Sequence, residues 1–198
     1  MSSASSRSSA PDPFAVVLRG ALTAVVDAVR GLQAANPVVL VDGRSGAGKT
    51  TLVRGLVAGW PLRGRVQVVA LDSLYPGWDG LDDGVGIARD TVLMPHARGE
   101  IGVWRRWDWD AAEPAEAHAV EPALPLIVEG SGLLTAETAG LADIRVWLDA
   151  PAASRKRRAL ERDGETYRPH WDRWAAQEER HLARDAPESH ATHVFRLP

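Results

Sequence analysis

Residues 38–51, VVLVDGRSGAGKTT, constrain this chain more than any other stretch. Val38, Val39, Leu40 and Val41 have the unbroken apolar character of a strand buried on both faces, and a helix-forming run, TLVRGLVAGW, begins as the glycines end. Gly43, Gly48, Lys49 and Thr50 fit the pattern G-x-x-x-x-G-K-[ST] at every defined position. Set between a strand and a helix, such a loop curls successive backbone N–H groups around an anion, and the helix N-terminus behind it adds partial positive charge. Gly43, Arg44, Ser45, Gly46, Ala47, Gly48, Lys49, Thr50 and Thr51 are therefore expected to hold the phosphates of ATP. Lys49 is placed to reach the β and γ phosphates, and the Thr50 hydroxyl to ligate Mg²⁺. The chain writes arginine almost everywhere it needs a cation, and its only lysines are Lys49 and Lys156.

The rest of the chain alternates strand and helix signals. Phe14, Val17, Leu18, Ala21, Leu22, Val25, Val29 and Leu32 recur at helical spacing, and Asn36-Pro37 ends that segment. RVQVVAL (65–71), LIVEG (126–130), IRVWLDAP (144–151) and HVFRL (193–197) read as strands. VGIARDTVLMPHARG (85–99) reads as a helix that Pro95 should break or end, ASRKRRALERDG (153–164) as a basic helix and WDRWAAQEERHLAR (171–184) as a last helix. AAEPAEAHAVEPALP (111–125) looks like a surface excursion, and DSLYPGWDGLDDG (72–84) is long for a plain connection, which favours a functional loop. The alternation predicts an α/β fold with a mostly parallel sheet. A length of 198 residues suits one domain, expected over 13–198, with a Ser-rich disordered tail over 1–12.

Bulk chemistry removes several function classes. A formal net charge of −3 provides no global field for nucleic acid, and the absence of Cys excludes disulfides, Cys-ligated zinc and a thiol nucleophile. The apolar stretch after the tail carries Arg19, Asp27 and Arg30, so neither a signal core nor a membrane span is expected there. A cytoplasmic protein without membrane or nucleic-acid partners fits these features. A GTPase normally reads guanine with N-K-x-D, yet the only Asn is Asn36, ahead of the first strand.

Three further features offer chemistry at the sheet's C-terminal edge, where open α/β sheets bind ligands. Asp72 ends the second strand; its carboxylate either accepts the proton of an attacking hydroxyl, helps hold the metal, or serves only as a turn former. Glu129 ends LIVE, the place of a carboxylate acting through Mg²⁺ or its waters, or of one that satisfies the turn at Gly130. Arg155, Arg158 and Arg162 fall on one helix face and either clamp transferring phosphates or form a solvated basic face.

In this order the pieces resemble the uridine–cytidine kinase family of P-loop nucleoside kinases, with kinship to phosphoribulokinase-like enzymes, from about Pro37 to Asp163. GRSGAGKTT resembles that family's glycine loop, LDSLY its Asp-Ser-Phe-Tyr segment, WDW (107–109) its base-pocket motif, LIVEGSGLL its strand ending in Glu-Gly, and SRKRRALERD its arginine lid. The resemblance implies a P-loop NTPase fold with a five-stranded parallel sheet flanked by helices. It implies a lid at about 151–170, transfer of the ATP γ-phosphate to a small-molecule hydroxyl, Asp72 as base, Tyr75 as a pocket residue, and Arg155, Arg158 and Arg162 as lid cations.

Departures bear on the acceptor. Leu74 stands where the family has Phe, and YPGWDG follows at once, bringing Trp78 and Asp79 to the expected pocket. The pocket segment WRRWDWD carries Arg105 and Arg106, which a neutral nucleoside does not need and which would suit a carboxylate or phosphate. Trp78, Trp104, Trp107 and Trp109 either stack on a base or pack at the surface. A sugar, vitamin, nucleotide or other anionic acceptor, or an ATP-binding regulatory protein with no acceptor, are the rival readings. His170 and His181 are expected at the surface, without a role.

Overall fold

The computed structural model describes residues 12–198. Its strands are β1 (Val38–Gly43), β2 (Gln67–Ala70), β3 (Gly102–Asp108), β4 (Glu113–Val120), β5 (Leu126–Glu129), β6 (Ile144–Asp149) and β7 (His193–Arg196). Five of them form one parallel sheet in the order β2-β5-β1-β6-β7, with β1 at its centre. The apolar run of β1 is thus paired on both edges, and all six of its residues are buried. Register aligns Val41 with Glu129 and Val146, and Ala70 with Glu129. The glycine loop, Asp72 and Glu129 therefore leave the sheet at one edge.

The helices are α1 (Pro13–Gly31), α2 (Lys49–Ala58), α3 (Leu81–Ala88), α4 (Met94–Ala97), α5 (Ala136–Ala139), α6 (Ala152–Tyr167), α7 (Trp171–Asp185) and α8 (Pro187–His190). They divide the apolar interior into two layers. One packs α1 and α2 against the sheet through Leu18, Ala21, Val25, Val29, Leu52 and Leu56; the other gathers Leu71, Tyr75, Leu81, Val92, Trp171 and Trp174. The buried stripe of α1 is the one its spacing predicts, and Asp12 caps it by accepting the Phe14 N–H at 3.1 Å. The rest of the tail expected over 1–12 lies outside the described residues.

One segment differs from expectation, and one helix breaks where its proline predicts. The stretch 111–125, expected as a surface excursion, contains β4, which pairs antiparallel with β3 in a separate two-stranded sheet. Mostly exposed, Ala- and Glu-rich β4 has no apolar alternation to reveal it. The helix expected to break or end at Pro95 does break there. A π-helical turn over Arg89–Leu93 precedes the proline, and the chain continues into α4. A proline lacks an N–H and crowds the carbonyl four residues earlier, and a widened turn relieves both problems.

The basic helix expected as a lid is α6, followed by a short turn at Arg168–His170. Gly164, at φ 59° and ψ −136°, breaks its helical path, a conformation that glycine adopts without the Cβ penalty. No described helix is long and apolar enough to cross a membrane.

Candidate active site

The glycine loop is gripped from behind by α6. Gly46 has φ 77°, and a Cβ there would run into the Arg155 carbonyl, so only glycine lets the loop approach the helix so closely. Arg155 donates to the Ala150 carbonyl at 3.0 Å and to the Ser45 carbonyl at 3.3 Å; Arg158 donates to the Gly46 carbonyl at 2.8 Å and lies over the Phe14 ring. The Ser45 and Gly46 carbonyls are thereby held by guanidinium groups, while the Ser45 N–H is taken by Glu178 and the Ala47 N–H by the Arg44 carbonyl. Ala47 packs in the core, Gly48 sits against Phe14, Arg44 pairs with Glu178 and Glu179, and Thr51 is exposed.

Lys49 reaches across the loop mouth. Its ammonium donates to the Gly43 carbonyl at 2.7 Å and to Ser131 Oγ at 3.2 Å. The Thr50 hydroxyl donates to Glu129 Oε1 at 2.8 Å. Burial raises the Glu129 carboxyl above its ordinary range, with the Asp72 charge adding to that and Lys49 opposing it. Thr50, Glu129 and Asp72 offer only hard oxygen donors, the chemistry that suits Mg²⁺. Among the described residues no group of three or more His, Cys, Asp and Glu side chains could hold a metal by itself.

From the loop a cavity of about 580 Å³ extends over Asp72, Glu129 and Arg162 to an aromatic end formed by Tyr75, Trp78, Trp109, Tyr167 and Trp174. Asp72 lies in a 3₁₀ turn directly after β2 and is exposed to the cavity. The Trp109 indole N–H donates to the Asp72 carbonyl at 2.8 Å, tying the β3–β4 hairpin to that turn. Trp78 stacks on His170 at 4.2 Å and on Tyr167 at 5.5 Å, and meets Trp109 at 4.7 Å. Tyr75 is buried and donates its hydroxyl to the Ser131 carbonyl at 2.8 Å; burial, with Asp72 next in weight, pushes its phenol well above the usual range.

Not every expected residue reaches this cavity. Arg155 is 2% exposed, lies beneath the loop and faces no open space, and Arg158 is spent on the Gly46 carbonyl; of the three arginines only Arg162 lines the cavity, paired with Asp163 at 2.7 Å. The three share one face of α6, but the helix docks by its N-terminal turns, which buries Arg155 under the loop and half-buries Arg158 against it. Arg106 is held by Glu116 and Asp108, and Arg105 donates to the Ala115 carbonyl across the hairpin, so neither points at an acceptor. Trp107 and Asp79 also lie off the cavity; Asp79 pairs with Arg173.

Helix α7 adds Trp171 and Trp174 to the core, and it departs from expectation at His181. His181 is 2% exposed rather than a surface residue. Its Nδ1 lies 2.8 Å from Asp185 and its Nε2 3.3 Å from Asp42, the buried carboxylate that opens the glycine loop. Burial alone would lower the imidazole, but the hydrogen bonds and charges of Asp42 and Asp185 outweigh it and raise it above its ordinary value. Two flanking carboxylates call for a proton on each ring nitrogen. A raised folded-state value contributes stability in full below the unfolded value, about 6.5, and that contribution is lost as pH rises through the folded value. The wild type's stability to urea relative to His181→Gln is therefore expected to fall as pH increases above about 6.5. Parallel stability curves from pH 6 to 9 would refute the assignment.

No protein-family model matches the chain, and no curated protein matches it by sequence. Solved structures do. A possible uridine kinase from Bacillus stearothermophilus superposes with a TM-score of 0.66 over 90% of this chain and 98% of that one, at 20% identity. The chain shares its fold. A candidate fructose transport system kinase from Silicibacter sp. TM1040 superposes with a TM-score of 0.60 over 89% and 98%, also at 20% identity. The five-stranded parallel sheet flanked by helices, the α/β fold shared with these structures, thus agrees with the sequence reading.

Proposed function

We propose that this protein is an ATP-dependent kinase that transfers the γ-phosphate to the hydroxyl of a small, flat, uncharged acceptor, with a nucleoside as in uridine kinases the best fit. The observation that carries this reading is that the glycine loop, the Asp72 carboxylate and an aromatic chamber share one cavity. A phosphate loop alone needs no carboxylate facing it and no chamber beyond.

In this reading the loop amides and Lys49 hold the triphosphate, and Thr50 with Glu129 would hold Mg²⁺, which supplies charge neutralisation for the phosphates. The acceptor lies in the chamber walled by Tyr75, Trp78, Trp109 and Trp174, its hydroxyl beside Asp72. Asp72 takes the hydroxyl proton as the oxygen attacks phosphorus in line, and Arg162 carries charge developing on the transferred group. The chain contributes positioning and electrostatics rather than covalent chemistry.

Charge in the chamber favours a neutral acceptor. Asp72, Asp110, Glu129 and Asp163 line the cavity against two cations, Lys49 and Arg162, both committed in this reading to the transferred phosphates, whereas Arg105 and Arg106, the cations an anionic acceptor would want, are engaged within the hairpin. The double replacement Arg105→Ala with Arg106→Ala is expected to leave the acceptor KM within about threefold, the scale of exposed ion pairs. A tenfold or larger rise would restore the anionic-acceptor reading.

The direct test is ADP release from Mg·ATP across a panel of nucleosides, nucleoside monophosphates, sugars and vitamins. Stimulation by a nucleoside supports the reading. Stimulation confined to anionic compounds would keep the kinase and replace the acceptor class, and ATP binding with no stimulation by any compound would support a regulatory protein instead.

A further inference from the structure

Helix α7 reaches the glycine loop from 133 residues downstream, at a single buried carboxylate. Glu178 Oε1 accepts the Ser45 N–H at 2.6 Å and the Ser131 hydroxyl at 3.0 Å. Its Oε2 accepts Arg44 Nε at 3.2 Å and lies 3.8 Å from Arg155 Nη1. The side chain is 2% exposed. It has no room to retreat, because α7 is pinned on either side of it. Gln177 donates to the Trp78 carbonyl at 2.7 Å, and His181 meets Asp42 one turn later.

We propose that Glu178 is a positioning residue of the donor site, holding the glycine loop and the partner of Lys49 in the shape that receives phosphate. The proposal rests on the reading of this loop as the ATP site. Ser131 Oγ lies between Glu178 and the Lys49 ammonium, so two hydrogen bonds link the carboxylate to the charge that meets the terminal phosphates. The Ser45 amide lies in the loop itself, immediately before Gly46.

Simple electrostatics predicts the opposite of positioning, and the opposition makes the role testable. A carboxylate this close to an anion site repels phosphate, so if Glu178 acted only as a charge its neutralisation would tighten ATP. Positioning predicts a loss. Glu178→Gln nearly keeps the volume but has one acceptor oxygen and an amino group, whereas donors converge on both carboxylate oxygens. Either orientation of the amide leaves one set of donors unmet.

The experiment is calorimetric titration of Mg·ATP and, separately, inorganic tripolyphosphate into wild type and Glu178→Gln, well below the unfolding midpoint of each and with folding checked by circular dichroism. Both probes are expected to bind about tenfold more weakly to the variant, the scale of one charge-assisted hydrogen bond. Glu179→Gln, which removes a neighbouring exposed carboxylate paired with the same Arg44, is expected to bind within about twofold of wild type. A lower midpoint with unchanged affinity would mark Glu178 as merely structural and overturn the proposal, as would tighter binding. Should Glu178→Gln fail to fold, Ser131→Ala cuts the link to Lys49 without disturbing the ion pairs. It is expected to weaken ATP about tenfold, as loss of a hydrogen bond to a charged group does, and unchanged affinity there overturns the proposal. Wild type that binds neither probe overturns the donor-site reading and the proposal with it, whereas normal binding without transfer to any acceptor removes only the kinase reading.

Discussion

Asparagine in place of Asp72 is expected to lower turnover about 10²–10⁴-fold, the usual worth of a general base, while Mg·ATP binds as to the wild type. The substitution is clean for structural reasons. The Asp72 side chain faces the cavity rather than the core, and the contact that anchors its turn, from the Trp109 indole, is made to the backbone carbonyl, which Asn retains. Asn also keeps the shape of the carboxylate but cannot take a proton. Turnover measured by coupled ADP release, beside ATP affinity by calorimetry, separates the two effects. Unchanged turnover would remove Asp72 from the reaction, and a parallel loss of ATP affinity would assign it to the metal or the donor instead.

Lys49→Ala is expected to damage both steps. ATP affinity should fall about 10- to 100-fold and turnover about 10²–10³-fold, since the ammonium contacts phosphate in the ground state and more strongly as charge develops in transfer. The Gly43 carbonyl and the Ser131 hydroxyl also lose their shared donor, so the loop mouth is less ordered. Lys49→Arg is expected to rescue little, because a planar fork cannot take the place of a compact ammonium between those two oxygens. ATP affinity equal to wild type in Lys49→Ala would count against the loop as the phosphate site.

Much of this architecture is legible in short runs of residues. The buried strand, the glycine pattern and the helix after it are local features, and local features obey local rules. Asp72 and Glu129 are legible because each ends a strand, and strand ends in a parallel sheet converge. The residues that escape notice are those whose meaning depends on docking. Arg155 and Arg158 sit on the predicted face of α6, yet that face meets the loop from below rather than from the cavity. Glu178 and His181 share a helical stripe with Trp171 and Trp174, so their burial was readable from the amphipathic pattern of α7. Their partners, Ser45 and Asp42, were not, because no spacing rule joins positions more than a hundred residues apart. The hairpin was missed for a different reason: it buries little, so it leaves no hydrophobic period.

That hairpin has a consequence for how such a protein could change. It shares no strand ladder with the five-stranded sheet, yet it delivers Trp109 and Asp110 to the cavity and touches the Asp72 turn through one indole N–H. On the proposed function, the part that selects the acceptor is an exchangeable cartridge, while the part that holds the donor is built into the frame. Lengthening, shortening or grafting the mostly exposed part of the hairpin, residues 105–117, would redraw the chamber wall and leave the phosphate loop and its supports intact, while buried Gly102 and Val120 keep the hairpin anchored in the core. Divergence toward a new acceptor would then begin in the hairpin, with little debt in stability.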